Sequence, residues 1–144
     1  MRYLLYETNA ETVPLEKEID MIRTYVAMHE IRPSTAGKIY FQTAGNMEGV
    51  MIEPLLLLPL VENVFKHGSL PISIRVSLDS NQLRVCTENN LRAAGPETSG
   101  GVGLANLRRR LTLLYRDSHE LSLNRHKESF PAELSIDLNI DSHD

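Results

Sequence analysis

Between positions 62 and 67 the chain reads Glu62-Asn63-Val64-Phe65-Lys66-His67, an acid, an amide, an amine and an imidazole in one short run. On an α-helix Glu62, Asn63, Lys66 and His67 fall at i, i+1, i+4 and i+5 and share one polar stripe. Leu57, Val61, Val64 and Phe65 form the apolar stripe beside it. The oxygens of Glu62 and Asn63 are hard ligands suited to magnesium or to a water bound to it, and Lys66 or His67 can meet a phosphate by charge or hydrogen bond. Taken alone, such a cluster describes a solvated helix face better than a site. A second feature tips the balance: in Gly100-Gly101-Val102-Gly103-Leu104 the glycines stand where a loop becomes a helix, so backbone N–H groups can approach an anion that a helix N-terminus favours. The pattern is neither a P-loop, since no Gly-Lys-Ser/Thr follows, nor a dinucleotide fingerprint, since a third glycine at the required spacing is missing.

These residues must be carried by regular elements, and the periodicity supplies them. Leu15, Ile19, Ile22 and Val26 predict an amphipathic helix from Leu15 to about Ile31, with Pro14 at its entry, Glu16 and Glu18 favouring its N-terminus, and Arg32-Pro33 ending it. Lys38 to Thr43 reads as a strand between Gly37 and Gly45. The run from Leu55 to Gly68 predicts the helix of the polar cluster, its first turn tolerating Pro59 and Gly68 closing its end. Residues 71–89 alternate as a β-hairpin around Asp79-Ser80-Asn81. Residues 91–101 lack periodicity and hold glycines and a proline, the description of a functional loop. Leu104, Leu107, Leu111 and Leu114 mark a third helix. Leu121/Leu123 and Leu134/Ile136/Leu138/Ile140 mark two strands around Arg125 to Glu128. The order predicts an α/β two-layer sandwich, a mixed, mainly antiparallel sheet covered on one face by three helices.

With 144 residues, 42% of them apolar and 24% charged, the chain can bury one core. A net charge of −4 disfavours a nucleic-acid partner, and the single cysteine, Cys86, fits a reducing compartment and excludes a Cys-rich zinc framework. Cys86 reads as a small buried side chain and Arg108-Arg109-Arg110 as a solvated face. His29, His119, His126 and His143 lack metal-ligand spacing and read as surface residues. The Leu55 to Leu58 run reads as core and helix entry, or as a partner surface if exposed. No stretch approaches the roughly 20 apolar residues of a membrane helix, and the first residues, lacking signal-peptide features, read as a chain cut in mid-protein.

The stretch Pro54 to Gly68 resembles the N box of sensor histidine kinases, and Gly101 to Leu111, with Tyr115 after it, resembles the matching G box. Both are most similar to the LytS/YehU-type branch, whose ATP-binding domain has the GHKL fold. The segment from Val13 to Arg32 looks like the connection from a phospho-acceptor region, so the resemblance implies a helical segment at 1–33 and a catalytic domain at 34–144. It implies ATP and Mg2+ as ligands, with Asn63 on the metal and Glu62 acting as general base or orienting the accepting imidazole. Lys66 and His67 would lie near the phosphates, Gly101, Gly103 and Leu104 would line the nucleotide, and residues 91–100 would form a lid. In the wider family an Asp-x-Gly-x-Gly aspartate reads the adenine amino group. Here Glu88-Asn89-Asn90-Leu91 stands in its place, so Asn89, with Glu88 as fallback, is the candidate adenine reader, an acceptor without charge.

The acceptor motif of the branch is absent, and His67, inside the N box, is not its substitute. The resemblance therefore implies transfer of the γ-phosphoryl group to a histidine upstream of this sequence. It also implies a response regulator and the acceptor helices as partners, a homodimer in the full-length protein, and a cytoplasmic domain of a membrane-anchored sensor. Two rivals remain open: a nucleotide-free interaction or dimerisation module of the same fold, motivated by the missing glycines, and a serine kinase of the anti-sigma-factor type, against which the Val13 to Arg32 segment counts.

Overall fold

The computed structural model describes residues 12–31, 38–67, 69–90, 101–123 and 131–138. Their elements run β1 (Val13–Pro14), α1 (Leu15–Glu30), β2 (Ile39–Ala44), β3 (Met51–Ile52), α2 (Leu58–His67), β4 (Ser69–Asp79), β5 (Gln82–Asn90), α3 (Gly101–Tyr115), β6 (His119–Leu123) and β7 (Ala132–Asp137). The main sheet has the order β2-β4-β5-β7-β6. Its β2–β4 pair is parallel and its other pairs are antiparallel, as expected from the hairpin spacing. A parallel pair needs a crossover, and α2 lies within the one between β2 and β4, which sets it on the sheet.

Alternation decides the layers. Ile72, Ile74 and Val76 of β4, Leu83 and Val85 of β5, and Leu134 and Ile136 of β7 are buried, together with Leu15, Ile19, Ile22 and Val26 of α1, Leu60, Val61 and Val64 of α2, and Leu104, Leu107 and Leu111 of α3. All join one core cluster, so α1 shares the core of the residues that follow it. The intervening strand residues include Ser73, Arg75, Arg84, Glu88 and Glu133, none of them buried. Arg84 meets Glu133 at 3.5 Å with both side chains about half exposed, a pair that adds little to stability. The hairpin turns through Ser80 (φ 54°) and Asn81 (φ 66°), the positive dihedrals of a tight turn whose twist matches the flanking strands.

Several expectations need correction. Helix α2 starts at Leu58, not Leu55, because Leu55 sits at φ 57°, outside helical space. Pro59 then falls in the first turn, where its missing N–H costs no helical bond. The buried stripe of α3 ends on Tyr115 rather than Leu114, which is 38% exposed. A small antiparallel sheet, β1 with β3, was not expected, since two residues per strand leave no period to read. Cys86 is half-buried rather than buried, pairing in register with Arg75 and Glu133. His29 and His119 are half-buried rather than at the surface. The Arg32-Pro33 stop, Gly68, the loop 91–100, the turn at 125–128, Ile140, His126 and His143 lie outside the described residues.

Candidate functional site

Pro54-Leu55-Leu56-Leu57 offers no hydroxyl, amide or carboxylate to cap the helix it precedes, yet the first N–H groups of any helix need acceptors. The acceptor comes from α1. Glu18, 1% exposed, takes the N–H of Leu55 at 2.9 Å on one carboxylate oxygen, and those of Leu57 and Leu58 at 2.9 and 3.1 Å on the other. Glu18 thus stands in the first turn of α1, as the sequence suggests, and its carboxylate also caps α2. From the opposite side α3 holds the same segment through its carbonyls. Arg110 donates to the oxygens of Leu55 at 2.9 Å and Pro54 at 3.1 Å, and the Tyr115 hydroxyl donates to Glu53 Oε1 at 2.6 Å. Arg110 is therefore a structural tie and not only part of a solvated face.

These ties orient α3 relative to α2. The C-terminal half of α3 lies at the N-terminal end of α2, and the two helices pack together, so they run antiparallel and the N-terminus of α3 lies toward the C-terminal end of α2. At ~1.5 Å per residue, Gly101 to Leu104 stand ~9–14 Å back along α3 from Arg110, and Asn63 to His67 stand ~8–14 Å along α2 from Leu58. The glycine-bearing turn and the polar row thus both lie away from the end that Arg110 ties. Register brings in the third component: Ile72 pairs with Asn89 and Ser69 with Asn90, which sets the C-terminal end of β5 beside the start of β4, directly after α2.

Individual residues take distinct places in this arrangement. Glu62 and Lys66 are exposed and Asn63 is half-buried. Asn89, 4% exposed, sits on the core side of β5, while Glu88 is exposed on the other side. Gly101 and Gly103 belong to the first turn of α3. The Leu104 side chain is buried, at 2% exposure, which leaves its backbone N–H as the group it can offer. That turn carries the unpaired N–H groups and positive dipole end of a fifteen-residue helix. Among the described residues no group of three or more His, Cys, Asp or Glu is placed to hold a metal ion. One amide oxygen with an adjacent acid instead suits a magnesium ion that takes its remaining ligands from phosphate and water. His67 closes α2.

Sequence reasoning missed an aromatic cluster beside Glu62. Phe65 of α2 stacks on His29 of α1 with ring centroids 4.2 Å apart and meets Tyr25 edge-on at 5.4 Å. Burial, and secondarily the Glu62 carboxylate, push the Tyr25 phenol above its ordinary value. The positions of Tyr25 and His29, one helical turn apart on α1, were the available signal. Glu18 could have been found differently, from the absence of any cap in the residues before α2.

No family model matches the chain. In sequence it is 36% identical over 94 residues to the sensor protein kinase HptS of Staphylococcus aureus, an alignment covering 62% of this chain and 18% of HptS. The chain thus spans about a fifth of the length of the curated relatives it matches. In structure it resembles the catalytic domain of histidine kinase ThkA, with a TM-score of 0.57 and 15% identity over 90% of this chain and 96% of that one. It also resembles the Acinetobacter baumannii histidine kinase AdeS, with a TM-score of 0.62 and 12% identity over 94% and 71% of the two chains. ThkA has further been solved in complex with the response regulator protein TrrA, and this chain matches that kinase with a TM-score of 0.57 and 14% identity over 88% and 41% of the two chains. The fold is that of histidine kinase catalytic domains, as the two boxes implied, and the sequence relative is a sensor kinase.

Proposed function

We propose that this chain is the ATP-binding catalytic region of a two-component sensor histidine kinase, and that its site lies between the polar row of α2 and the N-terminus of α3. The observation that supports the reading is the packing of α3 on α2 with its C-terminal half tied by Arg110 and Tyr115 to the residues before α2, an arrangement in which the start of α3 lies toward the polar row. Asn63 would hold Mg2+ against the nucleotide phosphates, and the ion would supply charge neutralisation at the transferring group. Lys66 and His67 bind phosphate oxygens. Gly101, Gly103 and Leu104 offer backbone N–H groups at the favourable end of the α3 dipole. Asn89 accepts the adenine amino group through its side-chain oxygen.

The transfer breaks the bond between the γ-phosphorus and the oxygen that leaves with ADP, and forms a phosphorus–nitrogen bond to an imidazole supplied from outside this sequence. Glu62, exposed beside Asn63, accepts the proton on the other ring nitrogen and so orients the ring and balances its charge. The N-box and G-box residues support placement in the LytS/YehU-type branch. A response regulator is then the next acceptor, the acceptor helices and a second copy complete the full-length assembly, and residues 34–144, with α1 packed into their core, form the catalytic unit on the cytoplasmic side of a membrane-anchored protein. No described helix is long and apolar enough to cross a membrane.

The test is complementation with a separately expressed acceptor-helix segment and γ-labelled ATP. Label on the acceptor histidine, reduced at least about a hundredfold by Asn63→Ala, is the expected result. Full labelling by that variant would remove Asn63 from the mechanism, and absence of labelling with nucleotide bound would point to a different acceptor.

A further inference from the structure

We infer that Glu18 is a positioning residue for this site, the joint through which the placement of α1 sets that of Asn63 and Glu62. The inference concerns regulation of the site and rests on the reading above for its functional consequence.

Its basis is where the cap of α2 comes from. The residues before α2 carry no capping side chain, and the N–H groups of Leu55, Leu57 and Leu58 converge instead on one buried carboxylate. That carboxylate belongs to another helix, thirty-nine residues away in sequence from Leu57. Charge-assisted bonds of this kind are short and directional, and an anion at the N-terminal end also favours the dipole of α2. Helix α2 has ten residues, and Asn63 lies ~8 Å along its axis from Leu58. A tilt or slide of α1 displaces the carboxylate and, through three bonds to one turn, carries the start of α2 with it. Arg110 restrains the same segment from α3, so a pull from α1 changes the spacing between the polar row and the glycine turn opposite. Glu18 touches neither nucleotide nor acceptor in this scheme; it acts through α2.

The direct test reads the position of Asn63 without nucleotide. In the full chain, Glu18→Gln keeps the size of the side chain while removing its charge and half its accepting capacity. The Asn63 side-chain amide resonances are expected to move in this variant. Mg-ATP affinity is expected to fall about tenfold at a temperature where the variant is fully folded. Ile136→Val on β7, which weakens the core away from the site, serves as the control for lowered stability and is expected to leave both readings unchanged. If Glu18→Gln does not fold, Glu18→Asp, which keeps the carboxylate but draws it back by one methylene from the N–H groups of Leu55, Leu57 and Leu58, is expected to shift the Asn63 resonances in its place.

Unmoved Asn63 resonances in a folded Glu18→Gln chain would overturn the inference, as would equal losses of affinity in the Ile136→Val control. Should the unaltered chain bind no nucleotide, the proposed function fails. The resonances still decide whether Glu18 positions Asn63.

Discussion

The Tyr115 hydroxyl lies 2.6 Å from Glu53 Oε1, joining the last turn of α3 to the residue four positions before Leu57. Tyr115 is 8% exposed, so its ring is core while its oxygen reaches a carboxylate. Tyr115→Phe removes the hydroxyl alone, and a bond to a carboxylate in a partly buried place contributes about 1–2 kcal/mol. Urea unfolding should show that loss with an unchanged slope. Because the bond also holds α3 antiparallel to α2, nucleotide affinity should fall with it.

Gly45 leaves β2 at φ 100°, and a Cβ there would meet the backbone carbonyl oxygen of Leu78. Gly49 adopts φ 79° with open space around the same position. Both substitutions by alanine carry the cost of a left-handed backbone, about 1 kcal/mol, but only Gly45→Ala adds a clash with backbone that cannot step aside. Gly45→Ala should cost at least about 2 kcal/mol more than Gly49→Ala in thermal or urea unfolding.

Much of this framework was legible because its signals are periodic. Ile72/Ile74/Val76 and Leu83/Val85 alternate cleanly, and the hairpin they predict exists in register. The polar row on α2 and the glycines opening α3 were visible as residue types at fixed spacing. What the sequence hid are contacts between elements. Glu18 stands in the first turn of α1, where an acid already has a local explanation, so the missing cap before α2 was the one sign that an outside acceptor was needed, and it did not say which. Arg110 looked like one of three arginines on a wet face. Leu55 adopts a left-handed backbone that no residue type announces, and this delays α2 to Leu58. The bonds of Glu18 and Arg110 are tertiary ties formed across tens of residues, and local patterns do not name their partners.

Tyr25 provides a pH signature. Its phenol is held neutral first by burial and then by Glu62, so the folded chain retains that proton more tightly than the unfolded one. The contribution to stability is full below the ordinary tyrosine value near 10 and is lost as pH rises through the raised folded value. Tyr25→Phe should flatten the fall in unfolding midpoint above about pH 10. In a chain that keeps Tyr25, Glu62→Gln should lower the Tyr25 titration midpoint, read from its ring carbon resonance, without returning it to the ordinary value because burial remains.

The most direct test of a nucleotide site between α2 and α3 is the thermal unfolding midpoint with and without Mg-ATP, for the unaltered chain and for Asn63→Ala. Nucleotide at about 100 times its dissociation constant adds roughly 2.7 kcal/mol, a rise of several degrees for a domain of this size. A rise in the unaltered chain that shrinks in Asn63→Ala is the expected result. An unmoved midpoint at millimolar Mg-ATP, or an equal rise in both chains, would contradict a site built on Asn63.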